Sequence, residues 1–170
     1  MEYFDFLKNN LPTSTEIDRI KWANELIGQE IELNSLSDLY LCDYKIASRY
    51  LWFLSKVGEL DSKKLLHYLP ALMELRKNKI HKNTEASFAN FWLIAGVPKE
   101  NESEAIDLLF DWINSPKVNV TGKARSMQAL YQLTYKYPEL KKELQICLEF
   151  QADKYSSNYQ EKVRKIMGQL

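Results

Sequence analysis

The sequence repeats its apolar residues at intervals of about 40 positions, and this repeat limits the fold more than any other feature. Trp52, Trp92 and Tyr131 are separated by 40 and 39 residues. Other columns keep the same register: Ala47/Ser87/Ser126, Leu51/Phe91/Leu130, Leu54/Ile94/Leu133, Leu66/Ile106/Leu144, Leu69/Leu109/Cys147 and Leu72/Trp112/Phe150. Agreement among so many columns predicts a recurring structural unit whose apolar columns, the aromatic one included, form the core.

Each unit is predicted to be helical, because its apolar residues recur with a period of about 3.6. The pattern i, i+3, i+4, i+7 is present in residues 16–27, 44–57, 105–113, 124–135 and 140–148. In the first stretch, Ile17 and Ile20 share the apolar stripe with Leu26. The one β-branched run, residues 118–121, is too short for a strand, and only 5 Gly and 5 Pro supply turns. These features predict an all-α fold.

Capping signals suggest where the helices begin. The candidate signals are the pairs Thr13/Glu16, Asn101/Glu104 and Ser157/Gln160, which resemble capping boxes, and the single residues Asp61 and Thr121. Pro70 fits the first turn of a helix, where a missing N–H is harmless. We therefore expect a helix over residues 70–77, with residues 61–69 as a turn that leads into it.

Counting the units gives about four helix pairs in one domain, residues 1–170. Forty positions before Leu66 lies Leu26, in the first long helical stretch, so a first pair precedes the three clear repeats. Residues 160–167 have the pattern of a further helix that caps the array. Residues 28–40 interrupt the register, and their apolar side chains either cover the first pair or contact a second copy.

The last full repeat resembles the HEAT/armadillo superfamily of helical repeats. The resemblance rests on residues 118–133 (VNVTGKARSMQALYQL) followed by residues 137–140 (YPEL). More narrowly, residues 40–170 are similar to short bacterial HEAT-like proteins. The resemblance implies a right-handed α-α superhelix whose second helices line the concave face, and it brings no established activity. Residues 81–86 depart from the family pattern of an Arg or Asp in the turn.

The charge balance disfavours two classes of partner. The chain has 23 Lys and Arg against 23 Asp and Glu, whereas nucleic-acid binders are usually basic. Membrane surfaces attract basic segments in the same way. Residues 1–6 do not have the pattern of a signal peptide, and no apolar run is long enough to span a membrane. We therefore expect a cytoplasmic location.

Residues that carry chemistry are few. The sequence has no P-loop, GxSxG, HExxH or GxGxxG motif, and its two histidines, His67 and His81, make a weak metal site. Cys42 and Cys147 are expected to be small buried apolar residues, although a disulfide remains an alternative. We expect neither an enzyme nor a cofactor or metal.

The repeat register predicts which side chains of the second helices point outward, on the face that the resemblance makes concave. These residues are Lys64, His67, Glu74, Glu104, Asp107, Asp111, Lys142, Gln145 and Glu149. The middle of the set is acidic, which suits a protein partner with basic residues and repels a nucleic-acid backbone. A separate basic cluster, Arg76, Lys77, Lys79 and Lys82, is either an anion patch or a solvated loop between repeats.

The sequence therefore favours a non-catalytic module that binds another protein or docks a second copy of itself as a homodimer. Nucleic-acid binding, or repair of alkylated bases, is the alternative, because some HEAT-like proteins excise such bases. That activity needs an aromatic residue and a carboxylate in a basic groove. Asp107 or Asp111 beside Trp112 is the one local candidate, and Trp112 belongs to a core column.

Overall fold

A computed structural model describes residues 2–170; residue 1, which the single-domain prediction includes, lies outside them. The described residues form ten α-helices and no strand. The helices are α1 Glu2–Asn10, α2 Glu16–Gly28, α3 Asp38–Leu41, α4 Tyr44–Leu60, α5 Ser62–Asn78, α6 Glu85–Ala95, α7 Glu102–Asn114, α8 Val120–Leu133, α9 Leu140–Gln151 and α10 Ser157–Met167. Short 3-10 turns lie at Leu11–Thr13, Leu33–Leu36 and Lys99–Asn101. The predicted all-α superhelix is confirmed.

The helices form two layers. The first layer consists of α2, α4, α6, α8 and α10, each of which packs against the next. The second layer contains α5, α7 and α9. Trp92 of α6 and Trp112 of α7 join the layers, because their rings stack with centroids 5.6 Å apart and planes 10° from parallel. Helices such as α4 and α7 bury one apolar stripe, as the period of 3.6 predicts, whereas α6 has no exposed residue.

The beginning of the array differs from the prediction in one respect. The register places Leu26 of α2 among the second helices, but α2 packs on α4 in the first layer. In place of a second helix after α2, residues 29–41 form a 3-10 turn that packs on α5 and the short helix α3, which packs on α4. Four of their side chains, Leu33, Leu36, Leu39 and Tyr40, are buried. The insertion therefore covers the core rather than presenting its apolar residues to a second copy.

Several predicted helix starts move by a few residues. Thr15 rather than Thr13 caps α2, in a capping box with Asp18. Asp61 caps α5 as predicted, whereas the N-caps of α8 and α10 are Asn119 and Ser156. The cap is recognised by a side-chain bond to a backbone N–H, and adjacent polar residues compete for that bond.

The N-cap of α7 is Asn101, as predicted, although its side chain makes no capping bond. The prediction for Pro70 was wrong, because Pro70 lies inside the continuous helix α5. Proline removes one backbone hydrogen bond, and buried neighbours such as Leu69 and Leu72 offset that loss.

Four predicted core residues are exposed. Trp52 is 44% exposed, Phe150 70%, Ile17 78% and Ile20 41%. The buried stripe of α2 runs through Arg19, Trp22, Ala23 and Leu26, which leaves Ile17 and Ile20 outside it. Trp92 is buried under Trp112, whereas Trp52 shares the outer stripe of α4 with Arg49 and Lys56. Tyr131, the third member of that column, is half-buried.

Both cysteines are free thiols and half-buried. The disulfide alternative is therefore wrong, and so is the expectation of full burial. No helix within residues 2–170 has the length and hydropathy to cross a membrane.

Candidate functional site

The predicted outward residues of the second helices do share an accessible surface, which we call the second-helix face. It consists of Lys64, His67 and Glu74 on α5, Glu104, Asp107 and Asp111 on α7, and Lys142, Gln145 and Glu149 on α9. Seven are exposed, and Lys64 and Glu104 are half-buried. Their spacing of three, four or seven positions places them on one side of each helix.

Local contacts occupy some of these side chains and leave others free. Lys77 bridges to Glu104 at 3.4 Å, and the Gln145 amide donates to Glu149 at 3.0 Å. Lys64 and His67 line a cavity of about 240 Å³ beside residues 32–34. Asp107 and Asp111 form no ion pair within residues 2–170, so the middle of α7 presents two uncompensated carboxylates to solvent.

Two apolar side chains on α9 extend this surface and were not predicted. Ile146 is 58% exposed and Phe150 is 70% exposed; each directly follows a polar position, Gln145 and Glu149. The register predicts Phe150 to be buried like Leu72 and Trp112, but no later second helix covers it within residues 2–170. The helical pattern of α9 indicates that Ile146 is exposed, because Ile146 does not lie on the buried stripe that contains Leu144 and Leu148.

Three of the four residues of the predicted anion patch make contacts within the chain. The Arg76 guanidinium lies over the rings of Phe88 and Trp112, at 5.6 and 5.4 Å. The Lys77 ammonium lies 2.6 Å from Glu74. The Lys79 ammonium donates to two backbone carbonyls at the end of α3, where positive charge is favourable. Lys82 is exposed, and it is the one residue of the four whose side chain makes no ion pair, hydrogen bond or cation–π contact with another described residue.

A recess lies on the other layer, along the first helices. No residue of α6 is exposed, whereas α7 has four exposed positions. Helices at the floor of a recess expose fewer residues than helices on the opposite side. The smaller exposure of α6 therefore favours the first helices, and not the expected second helices, as the lining of the recess. Two cavities of about 250 and 290 Å³ lie along α2, α4, α6, α8 and α10.

Asn90 and Arg125 line both cavities, and we call the combined surface the first-helix groove. One cavity is lined by Glu16, Arg19, Trp52, Ser55, Lys56, Glu59, Ser87, Asn90 and Arg125. The other is lined by Asn90, Leu93, Val120, Thr121, Ala124, Arg125, Gln128, Ser156, Asn158, Tyr159 and Lys162. The groove thus has both cationic and neutral polar side chains.

Arg19 and Trp52 line the first cavity, and Arg49, which is not one of the lining residues, lies beside Trp52. The guanidinium carbons of Arg19 and Arg49 are 5.3 and 4.5 Å from the Trp52 ring centre, within the range of cation–π attraction. Arg19 is 6% exposed, and its guanidinium Nη1 donates to the Ser14 carbonyl oxygen at 2.8 Å. Burial and, secondarily, the charge of Arg49 lower the pKa of Arg19.

The carboxylates of the groove are already paired. The Lys56 ammonium lies 2.7 Å from Glu16 and 3.1 Å from Glu59, and the hydrogen bond from Lys56 to Glu16 raises the pKa of Lys56. The Arg125 guanidinium donates to the Ala86 carbonyl at 3.0 Å, and burial lowers its pKa. Arg125 has no carboxylate partner within residues 2–170.

The histidines and acids do not form a catalytic or metal centre in the described part of the chain. His67 is exposed and contacts the Lys63 carbonyl. His81 is buried, and its Nε2 lies 2.8 Å from the Tyr40 carbonyl. Among residues 2–170 there is no group of three or more His, Cys, Asp or Glu that could hold a metal ion.

Comparison with known proteins agrees with this architecture. A family model described as HEAT repeat domain matches residues 7–170. No curated protein and no solved structure matches the chain significantly.

Proposed function

Because this chain belongs to the HEAT repeat domain family, we propose that it is a non-catalytic helical-repeat module that binds another protein. Stacked helix pairs create a large rigid surface without any need for catalytic groups. The histidines already contact backbone carbonyls of the chain, at Lys63 and Tyr40. The proposed binding surface is the second-helix face together with Ile146 and Phe150.

The exposure of Phe150 beside Ile146 is the observation that carries this proposal. Large apolar side chains that lie together on a surface and are bordered by polar residues are typical of protein interfaces. Gln145 and Glu149 provide that polar border on the same helix. An aromatic anchor such as Phe150 supplies a large area for burial in a pocket of the partner.

The charge of the neighbouring helix indicates what kind of partner fits. Asp107 and Asp111 lie one turn apart on α7 and have no counter-charge among the described residues. Charges at the edge of an interface mainly steer association and select partners. We therefore propose a partner with an apolar pocket for Phe150 and basic residues opposite α7.

A second copy of the chain is a weaker candidate. A two-fold dimer brings the same surface together from both copies, so a dimer centred on α7 would bring the Asp107 and Asp111 carboxylates of the two copies together. Like charges across an interface oppose association. Sedimentation velocity at several concentrations tests this point, and we expect the monomer to predominate.

The predicted nucleic-acid alternative depended on Asp107 or Asp111 beside Trp112. Trp112 is 5% exposed and stacks on Trp92, so its ring is not available to a base. The two aspartates would repel phosphates. The structure therefore gives no support to base repair at this position.

Affinity purification from native lysate with variants of the second-helix face tests the proposal. One variant is Asp107→Lys/Asp111→Lys and another is Ile146→Ser/Phe150→Ser. Ile17→Ser is the control, because Ile17 is more exposed than Ile146 or Phe150 but lies on α2. We expect a protein retained by the original chain and by the control to be lost from both double variants. Equal retention by all four proteins would refute the assignment of this surface.

A further inference from the structure

Three arginines of the first-helix layer have no acidic partner within residues 2–170. Arg19 and Arg49 flank Trp52, and Arg125 reaches only the Ala86 carbonyl. A guanidinium group is always ionised in a protein. The Nε of Arg19 is buried and has no hydrogen-bond partner, which is costly for a charged donor. Glu16 and Asp18 offset the charge of Arg19 in part, whereas Arg49 and Arg125 form no ion pair within residues 2–170 and keep positive charge available to a ligand.

Trp52 holds this charge in place. The indole ring lies within cation–π distance of both guanidinium groups, and this attraction fixes the position of each group. A guanidinium that is positioned in this way presents a fork of N–H donors, and a carboxylate accepts two parallel hydrogen bonds from that fork. Because Trp52 is accessible from solvent, a ligand can reach the same place.

We propose that the first-helix groove binds an acidic segment of another protein. In this arrangement, carboxylates of the segment pair with the half-buried Arg49 and Arg125, while the buried Arg19, which donates to Ser14, adds positive charge to the site. The two cavities, about 250 and 290 Å³, lie below the usual range for whole small-molecule ligands. Cavities of that size suit individual side chains of a peptide that runs along the groove.

The distribution of charge favours a peptide over a nucleic-acid strand. A nucleic acid carries a phosphate at every nucleotide, so its binding sites are continuously basic. The cavity that Trp52 and Arg125 line also has the neutral side chains of Ser55, Ser87 and Asn90 and the carboxylates of Glu16 and Glu59 in its lining. Discrete arginines with neutral polar groups beside them match a peptide whose acidic side chains are spaced apart.

This surface lies on the opposite layer from the second-helix face, so the two proposals are tested separately. Fluorescence anisotropy of the purified chain can compare three labelled probes: a glutamate-rich peptide, a peptide of equal length with glutamine at those positions, and oligothymidine. We expect the glutamate peptide to bind and to change the tryptophan fluorescence of the chain, a change that Trp52→Phe removes, while the glutamine peptide does not bind. Tighter binding of oligothymidine, or equal binding of both peptides, would overturn the proposal.

Variants identify the arginines as the cause. Arg49→Gln should weaken binding of the glutamate peptide about tenfold, as the loss of a charged hydrogen-bonding partner implies. Arg164→Gln is the matched control, because Arg164 is exposed on α10 about half a helical turn from the groove residue Lys162. Asp107→Lys/Asp111→Lys should bind the peptide as well as the original chain does. Unchanged affinity in Arg49→Gln would contradict the proposal.

Discussion

The ammonium group of Lys123 is buried and donates a hydrogen bond of 2.5 Å to the carbonyl oxygen of Ile113. A second bond, of 2.6 Å, reaches the carbonyl of Ser115. Ile113 lies in the last turn of α7, where backbone carbonyls lack partners within the helix. A positive charge stabilises that end of the helix. Lys123 of α8 therefore caps the preceding second helix and fixes the connection between the two layers.

Replacing this lysine should destabilise the fold. Lys123→Met keeps most of the side-chain volume but leaves the Ile113 and Ser115 carbonyls without their donor. We expect the free energy of unfolding to fall by about 1–3 kcal/mol. Urea denaturation measures the change, and Lys117→Met is the control, since Lys117 is exposed in the same connection. Equal effects of the two substitutions would contradict the capping role.

The two tryptophans that share a repeat position should differ in their contribution to stability. Trp92→Ala removes a buried ring that stacks on Trp112, and we expect a loss of about 3–5 kcal/mol. Trp52→Ala removes a ring that is 44% exposed, so the expected loss is smaller, about 1 kcal/mol, mainly from its contacts with arginine. Thermal or urea unfolding distinguishes the two, and similar losses would contradict the packing described for α4.

Gly58 is required by close packing of helices. A Cβ atom at Gly58 would overlap the Leu65 side chain and lie 3.2 Å from Ile94. Gly58→Ala should therefore lower stability by about 1–3 kcal/mol, although alanine is the better helix former. At Gly28 nothing lies within 4 Å of such an atom, so Gly28→Ala should be neutral or slightly stabilising. A gain in stability from Gly58→Ala would show that α4 and α5 are less tightly packed.

Buried tyrosines should make the protein less stable in alkali. Burial raises the pKa of Tyr40 and of Tyr159 to about 12, and burial also raises the pKa of Tyr50. In the unfolded chain these phenols ionise near pH 10. Above that pH the unfolded state loses protons that the folded state keeps, so the stability present below pH 10 is lost progressively as the pH rises toward about 12.

Urea denaturation across this alkaline range tests the contribution of one tyrosine. Each such residue contributes at most about 1.4 kcal/mol per pH unit to the slope. Tyr50→Phe should reduce the slope, whatever its effect on stability at neutral pH. Tyr44→Phe, at an exposed position, should leave the slope unchanged. Identical slopes for Tyr50→Phe and the original chain would refute this account.

The repeat could be predicted from sequence because it is a pattern along the chain. Leu51, Phe91 and Leu130 occupy one column and are all fully buried. Apolar residues that recur every 3.6 positions identify the side of a helix that tends to be buried. Their recurrence about 40 positions later identifies the equivalent helix of the next repeat. Neither pattern depends on knowing how the helices are arranged.

Exposure at particular positions depends on neighbours that the spacing does not reveal. Trp92 is covered by Trp112 and Trp52 has no equivalent cover, although the two occupy the same register. Phe150 lies in the last second helix of the described chain. Lys123 is of a residue type that is usually exposed, and its burial follows from how α7 and α8 meet.

The first-helix groove was missed for the same reason. Arg49 and Trp52 are three positions apart, and this spacing indicates that they share one face of a helix. The expectation that Trp52 lies in the core obscured it. Arg19 and Arg125 come from distant repeats and approach the cluster only through packing of α2, α4, α6 and α8.

Photo-crosslinking from α9 tests the central proposal, protein binding through the second-helix face, most directly. Phe150 is replaced by the photoreactive p-benzoylphenylalanine, and a control chain carries the same residue at the exposed position Ile17. After irradiation in native lysate, we expect a discrete crosslinked protein from position 150 that is absent from position 17 and disappears with Asp107→Lys/Asp111→Lys. Crosslinks from position 17 alone, or crosslinks from position 150 that persist with both lysines present, would contradict the account.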